Sequence, residues 1–200
     1  MTPRRALNVA NLPDYAFGHQ GFIWWGTVSF MVIEGAMFVM VLAAYYFLRT
    51  RVPDWPPSAP NPDPTFGTLG LLVLIASAVP NQIVKTAAEK LDLPRVRRLI
   101  PVLLVFGAAA IVLRAFEFPA IGVPWDYNAY ASITWFILGV HTTHLVTDFA
   151  DSVVLAVLVF TGHMEPKRMV DVSENALYWY FIILSWIPIY VTIYFAPRWL

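Results

Sequence analysis

Long, continuous apolar segments dominate the sequence. Five of them are long enough to cross a hydrocarbon layer of about 30 Å, which takes roughly 20 helical residues. These segments cover residues 22–48, 66–84, 99–118, 129–160 and 176–196. Because they are continuous and do not alternate in polarity, they predict helices rather than strands. The predicted fold class is therefore all-α, a polytopic membrane protein built as a bundle of five transmembrane helices.

The composition agrees with this pattern. Of the 200 residues, 58% are hydrophobic and 13% are charged, which is more apolar than the core of a soluble domain of this size requires. We predict an N-terminal segment at 1–21 and a single five-helix domain at 22–200. The first apolar segment has no small-residue cleavage pattern and four more follow it, which indicates a retained helix rather than a signal peptide.

Two further features of the composition exclude kinds of chemistry. The chain has no cysteine, which excludes disulfides, thiolate zinc sites and iron–sulfur clusters. Its formal net charge is zero and it has no basic run on an exposed face, so nothing supports nucleic-acid binding.

The basic residues predict the orientation in the membrane. If the five helices alternate in direction, the N-terminus and the second and fourth loops share one side. The basic residues on that side are Arg4, Arg5, Lys85, Lys90, Arg95, Arg97, Arg98, Lys167 and Arg168. The opposite side has only Arg49, Arg51 and Arg198. By the positive-inside rule the N-terminus is cytoplasmic and the C-terminus is outside.

The fourth apolar segment carries a stripe of ionisable groups. On a helix that turns about 100° per residue, His141, His144, Asp148 and Asp151 fall within an arc of about 80°. An ionised Asp at mid-bilayer costs roughly 2.5 to 3.5 kcal/mol on translocon scales, so the stripe must face protein, water or a bound head group. Its partners are expected on other helices.

The candidate partners lie in the first and third segments. Glu34 is the only charge in the first segment, and Arg114 and Glu117 are spaced to pair on one helical face. We expect Glu34 and Glu117 to converge with the two stripe histidines in the bundle core. Three interpretations are open: a structural polar cluster, a proton-handling or lipid-head-group site, and a metal site. The histidine spacing lacks the Glu-x-x-His motif of di-iron bundles, which weighs against a metal.

Several short motifs follow one another along the chain in an order that can be compared with known families. They are Trp25-Gly26 with Glu34, Arg114-Ala-Phe-Glu-Phe118, Tyr130-Ala-Ser132, and Gly139-Val-His-Thr-Thr-His144, followed by an aromatic last helix. On these motifs the chain resembles subunit III of the haem-copper cytochrome c oxidases, from about Trp25 to its C-terminus. The five helices would correspond to the last five of the longer, seven-helix members, in a short form that lacks the first two helices.

Two departures from the family pattern are visible. The last helix of that family often carries a His and an Asp where this chain has Tyr180 and Ile183. Conversely, Asp148 stands where many members have Gly, which adds a charge beside the histidine pair. The related accessory subunits of nitric oxide reductases therefore stay open as an alternative branch.

The resemblance implies a non-redox accessory subunit of a terminal oxidase in aerobic respiration, without a catalytic centre of its own. It would pack on the catalytic subunit I, with subunit II nearby and with haem and copper held by those partner subunits. It would bind phospholipid and support stability and proton or oxygen access. The expected location is the bacterial inner membrane. A stand-alone proton or ion transporter is the alternative from a different functional class.

Overall fold

Helices account for all regular secondary structure within residues 15–199, the range that the computed structural model describes. The long helices are α1 (Phe22–Arg49), α2 (Thr65–Glu89), α3 (Leu93–Ala120), α4 (Ala129–Thr161) and α5 (Arg168–Tyr194). A one-turn 3₁₀ helix at Gly18–Gln20 precedes α1, and the short α6 (Ala196–Trp199) follows α5. Most of the predicted N-terminal segment, residues 1–14, lies outside the described residues.

Each of the five long helices is long and apolar enough to cross a membrane. The predicted all-α, five-helix membrane fold is thereby confirmed. At 33 residues α4 is about 50 Å long, which exceeds a perpendicular crossing of a 30 Å hydrocarbon layer. The helix must therefore tilt or project beyond the membrane.

The predicted loop between the second and third helices, residues 85–98, is wrong. Helix α2 continues to Glu89 and α3 begins at Leu93, so the connection is only Lys90–Asp92. The Asp92 side chain caps α3 by accepting a hydrogen bond from the Arg95 backbone N–H at 3.1 Å. Pro94 in the first turn also suits a helix start. Hydropathy missed these turns because they are helical but polar.

The start of the last helix also differs from the prediction. Helix α5 begins at Arg168 instead of residue 176, and it ends at Tyr194, two residues short of the predicted end. Its first two turns therefore hold Asp171, Glu174 and Asn175, which sequence analysis had assigned to a loop. Of these, Glu174 is buried, so the polar start of α5 belongs to the packed bundle.

The order of packing places α5 in the middle and α1 at one edge. Helix α5 packs against α1, α2 and α4, whereas α1 packs against α4 and α5. Helix α3 packs against α2 and α4, and among the described helices α1 and α3 do not touch. Only Phe38 and Tyr45 of α1 are buried, so most of its apolar surface faces outward. A surface of this kind suits lipid or a partner helix.

A proline-rich loop, residues 51–64, covers the end of the bundle opposite the α2–α3 connection. Trp55 is buried and donates from Nε1 to the Tyr45 hydroxyl at 2.9 Å. Backbone carbonyls of the loop accept from Asn128 at Pro57 and from Arg198 at Pro62, both at 2.8 Å. The loop is thus fastened to α1, to the start of α4 and to α6.

The last acidic residue of this loop marks the start of α2. The Asp63 carboxylate accepts from the Thr65 hydroxyl at 2.7 Å and from the Thr65 backbone N–H at 2.9 Å. These two hydrogen bonds favour the ionised carboxylate, and they hold the pKa of Asp63 below its usual value.

Candidate functional site

Arg114 is the centre of a buried polar group on α3, α4 and α5, which we call the arginine cluster (Arg114, Glu117, His141 and Tyr194). Arg114 Nη1 donates to Glu117 Oε2 at 2.7 Å, and the Tyr194 hydroxyl donates to Glu117 Oε1 at 2.5 Å. The guanidinium carbon also lies 3.8 Å from the centre of the Trp186 ring. Arg114 is 4% exposed and Glu117 is 1% exposed. The ion pair and the cation–π contact offset part of the cost of removing these charges from water, while Arg114 Nε is buried without a hydrogen-bond partner.

The hydrogen bonds of His141 fix its tautomer. Its Nδ1 lies 3.2 Å from Arg114 Nη2, and its Nε2 lies 3.1 Å from the Ile182 carbonyl oxygen. Arginine can only donate and a carbonyl can only accept, so Nδ1 is the acceptor and Nε2 carries the proton. His141 is therefore neutral, and the arginine cluster combines one positive and one negative charge.

A second group joins α1, α4 and α5, and we call it the glutamate cluster (Glu34, His144 and Tyr178). Glu34 Oε1 lies 3.1 Å from His144 Nε2, and the Tyr178 hydroxyl donates to Glu34 Oε2 at 2.6 Å. His144 Nδ1 lies 2.7 Å from the Val140 carbonyl oxygen, so it carries a proton. The bond between Nε2 and Oε1 then needs one further proton, held by either the imidazole or the carboxyl. Glu34 and His144 therefore share a single proton within the membrane span.

The two remaining stripe residues meet the polar start of α5. The Asn175 amide nitrogen donates to Asp148 Oδ1 at 3.0 Å and to Asp151 Oδ2 at 3.2 Å. The Asn175 amide oxygen in turn accepts from the Ser152 hydroxyl at 3.0 Å. Asp148 is 5% exposed, whereas Asp151 lies at the surface. The uncharged Asn175 amide thus donates hydrogen bonds to the carboxyl groups of both aspartates.

These groups line a cleft of about 560 Å³ between α1, α4 and α5, which we call the acidic cleft. Its carboxylates are Glu34, Asp148, Asp151, Asp171 and Glu174. His144 is the one histidine in its described lining, which includes no lysine or arginine. From outside that lining, Lys85 attracts the Glu174 carboxyl electrostatically, and Lys167 and Arg168 attract that of Asp171. The cleft is therefore a strongly acidic space.

The expected convergence of Glu34 with Glu117 is wrong. The structure divides the predicted residues between the arginine cluster and the acidic cleft, and no hydrogen bond within residues 15–199 joins the two. Glu34 lies on α1 and Glu117 on α3, and these helices pack on different neighbours. His141 and His144 are three residues apart, so they point about 60° away from each other around α4. His141 therefore contacts Arg114, whereas His144 contacts Glu34.

Sequence analysis missed four residues of these sites on α5: Asp171, Glu174, Asn175 and Tyr178. Their spacing of three, four and seven residues is that of one helical face, so the signal was present. It was lost because the helix was predicted to begin at residue 176. The Trp186 and Tyr194 side chains of the aromatic last helix also contact Arg114 and Glu117, which no sequence pattern indicated.

The metal interpretation gains no geometric support. Among the described residues there is no group of three or more His, Asp or Glu side chains placed to hold a metal ion. Both ring nitrogens of His141 and of His144 already lie at hydrogen-bonding distance from protein partners. A metal on either imidazole would have to displace one of these bonds.

Comparison with known proteins gives matches over nearly the whole chain, although no family model matches it. The chain is 25% identical over 188 residues to the cytochrome c oxidase subunit 3 of Thermostichus vulcanus, which covers 92% of each chain. It is 25% identical over 195 residues to the protein of the same name from Synechocystis sp., covering 94% of this chain and 83% of that one. A probable cytochrome c oxidase subunit 3 of Nocardia farcinica is 26% identical, with 86% of each chain covered. The resemblance inferred from the motifs is confirmed.

Proposed function

Because the chain is a homologue of bacterial proteins named cytochrome c oxidase subunit 3, we propose that it is an accessory subunit of a haem-copper terminal oxidase in aerobic respiration. The observation that carries this proposal is the extent of the similarity. It covers 92% of this chain and 92% of the Thermostichus vulcanus protein, so the two correspond along almost their full lengths. The names of these relatives also favour an oxidase over a nitric oxide reductase.

The proposed role is structural and not redox. A bis-histidine haem needs ring nitrogens that are free to bind iron, and both membrane-embedded histidines are engaged in hydrogen bonds. Haem and copper would belong to the partner subunits. The chain would pack on the catalytic subunit I, with subunit II in the same complex. The outward apolar face of α1 offers one surface for such packing or for lipid.

The acidic cleft gives the accessory role a second component. Its volume of about 560 Å³ and its position at the edge helix α1 suit a phospholipid head group and its upper chains. The glutamate cluster in its wall can hold one proton between Glu34 and His144. We therefore include phospholipid binding and support of proton or oxygen access in the proposed function. The setting would be the bacterial inner membrane, with the N-terminus cytoplasmic and the C-terminus outside.

Co-purification tests this proposal. We expect the affinity-tagged chain, extracted in a mild detergent, to bring with it a haem-containing catalytic subunit in fixed stoichiometry. The optical spectrum of the eluate would then show reducible haem bands. An unrelated polytopic protein with the same tag, extracted from the same membranes, is the control. A tagged chain that elutes alone, monodisperse and folded, would contradict the proposal.

A stand-alone proton transporter fits the structure less well. The arginine cluster and the acidic cleft are not joined by hydrogen bonds in the described part of the chain. The Phe38 ring of α1 packs against both histidines, with its centre 6.1 Å from the ring centre of His141 and 5.1 Å from that of His144. A proton entering the cleft would find no hydrogen-bonded route to the arginine cluster. Proton flux into liposomes that hold only this chain would favour the transporter.

A further inference from the structure

A small cavity, which we call the core cavity, lies where helices α2, α3, α4 and α5 meet. Asn81 of α2, Ser152 of α4 and Asn175 of α5 contribute amide and hydroxyl groups to its lining. These three residues lie seven to nine positions from the nearest ends of their helices, which is about 10–14 Å along each helix axis. The polar groups of the core cavity therefore share one depth, within the membrane span.

Asn175 is common to the core cavity and the acidic cleft. Its amide nitrogen donates to Asp148 and Asp151 in the cleft, and its amide oxygen accepts from the Ser152 hydroxyl at 3.0 Å. That bond uses the single hydroxyl proton of Ser152, so the lone pairs of Ser152 Oγ stay open to another donor. The polar lining of the cleft thus continues through Asn175 and Ser152 to the core cavity.

Asn81 forms the polar side of the core cavity on α2. Its amide nitrogen donates to the Ala176 carbonyl oxygen at 2.8 Å, and its side chain also hydrogen-bonds the Tyr180 hydroxyl. The Tyr180 hydroxyl in turn lies 2.9 Å from Gln82 Oε1, at the exposed surface of α2. A side-chain amide has two N–H donors and an oxygen with two lone pairs, so these bonds leave Asn81 with unused capacity.

Asn81 and Ser152 face the same cavity without a direct hydrogen bond in the described part of the chain. Their helices, α2 and α4, do not pack against each other among the described helices. The Phe149 ring closes the α3 side of the cavity, because it packs on Gly107, where an added Cβ would lie 2.6 Å from the ring. A buried amide and a buried hydroxyl with unused capacity normally share a partner.

The size and lining of the core cavity indicate which partner fits. It leaves about 10 Å³ for a water-sized sphere, close to the least volume that holds one buried water. Such a water needs two to four polar partners, and Asn81, Ser152 and Asn175 supply them. The described lining contains no charged side chain, so an ion there would be uncompensated within the membrane span.

We propose that the core cavity binds one water molecule, which bridges the Asn81 side chain of α2 to Ser152 Oγ of α4. The water completes a hydrogen-bonded network that crosses the bundle from Asp148 in the acidic cleft to Gln82 on the surface of α2. Asp148 and Tyr180 both depart from the pattern of the resembled family, and both belong to this network. The water also connects two helices that do not pack directly on each other.

A high-resolution map of the purified protein, in its complex or alone, tests the water site directly. Cryo-electron microscopy at a resolution that shows ordered water molecules is suitable. We expect one density peak in the core cavity, at about 2.7–3.2 Å from Ser152 Oγ and from a polar atom of the Asn81 side chain. Ordered waters elsewhere in the same map are the control. A core cavity without density in that map would overturn the proposal.

A double-mutant cycle tests the bridge in solution. Asn81→Leu and Ser152→Ala would each lose the same water, so the second substitution should cost less once the first is present. We expect the double variant to raise the unfolding equilibrium constant about fivefold less than the product of the two single effects, the size of one ordinary hydrogen bond. Titration of the purified protein with sodium dodecyl sulfate measures these constants.

A matched control cycle replaces Asn81 by Thr68 on the same helix. The Thr68 hydroxyl also makes an α2–α5 hydrogen bond, at 2.7 Å to the Tyr190 hydroxyl, and Thr68 lies outside the lining of the core cavity. The effects of Thr68→Val and Ser152→Ala should simply multiply. Multiplying effects of Asn81→Leu and Ser152→Ala would overturn the water bridge. If Asn81→Leu does not fold, the map decides, because it needs only the unaltered protein.

Discussion

Arg114 shows how a single buried charge determines the roles of its neighbours. Its guanidinium holds Glu117 by an ion pair and His141 by a hydrogen bond to Nδ1, and it faces the Trp186 ring. Because the arginine donates to Nδ1, the proton of His141 is placed on Nε2, where it bonds the Ile182 carbonyl. The arginine cluster therefore connects α3, α4 and α5 through one cation.

The ion pair leads to a prediction for Glu117→Gln. The new amide can still accept from Tyr194, but its N–H₂ group would face the Arg114 donors and leave a buried cation unpaired. We expect the free energy of unfolding to fall by about 3 kcal/mol, the lower end for a broken buried pair, because chains unfolded within a membrane or micelle keep some polar partners. Titration of the detergent-solubilised protein with sodium dodecyl sulfate, followed by circular dichroism, measures this loss.

A second variant separates charge burial from simple loss of packing. Adding Arg114→Met to Glu117→Gln removes the unpaired cation, so the double variant should recover part of the lost stability. Glu165→Gln, in the exposed loop before α5, should be neutral. A loss below about 1 kcal/mol in Glu117→Gln would show that the pair contributes no more than an ordinary hydrogen bond.

Helix α5 carries different chemistry along its length. Its first two turns present Asp171, Glu174 and Asn175 to the acidic cleft, and its last turn presents Tyr194 to Glu117. Between them, Trp179 donates to the Ser77 hydroxyl of α2 at 2.7 Å. The helix thus packs against α1, α2 and α4, reaches Glu117 of α3 through the Tyr194 side chain, and contributes to both polar sites.

The helices themselves were predictable, but their ends were only partly so. Apolar runs report the residues that lie in the hydrocarbon layer, which is why 129–160 closely matches α4. They do not report the turns that continue beyond it, as at Glu89 and Leu93. Those ends depend on capping, such as Asp92 at α3, and on packing of the polar start of α5 against α4. Missing that start concealed three residues that line the acidic cleft, Asp171, Glu174 and Asn175.

Two glycines of α2 lead to a prediction about helix packing. At Gly67 an added Cβ would lie 2.4 Å from the ring of Tyr194, whereas at Gly70 it would meet nothing within 4 Å. Gly67→Ala should therefore displace Tyr194 from Glu117 and lower the free energy of unfolding by about 1–3 kcal/mol. Gly70→Ala should raise it by about 0.5–1 kcal/mol, since alanine favours the helix over the unfolded chain.

The same denaturation assay compares the two glycine variants. Because both positions lie in one helix, three residues apart, intrinsic helix propensity affects them equally and only the contact differs. Equal stabilisation by both alanines would mean that α2 and α5 are not as close at Gly67 as the structure places them.

At the scale of the molecule, the order of helices around α5 decides which polar groups can meet. Sequence identified the seven candidate residues, yet it could not say that α1 and α3 lie apart. Glu34 was therefore expected beside Glu117 and is found beside His144 and Tyr178. Spacing along one helix specifies a shared face, whereas partners across helices depend on the arrangement of the whole bundle. That arrangement leaves the acidic cleft at the edge formed by α1.

The orientation of this bundle is open to a direct test, because the chain has no cysteine of its own. The positive-inside rule predicts that the loop before α5 lies in the cytoplasm and the loop before α4 outside. Single cysteines at the exposed positions Glu165 and Asp126 report these two loops. In intact cells or right-side-out vesicles, a membrane-impermeant maleimide should label Asp126→Cys and not Glu165→Cys. After permeabilisation both should react, and the cysteine-free parent should react in neither state. The reverse pattern would place the acidic cleft, whose polar end lies near Asp171, towards the outer leaflet, where it would meet a different set of lipid head groups.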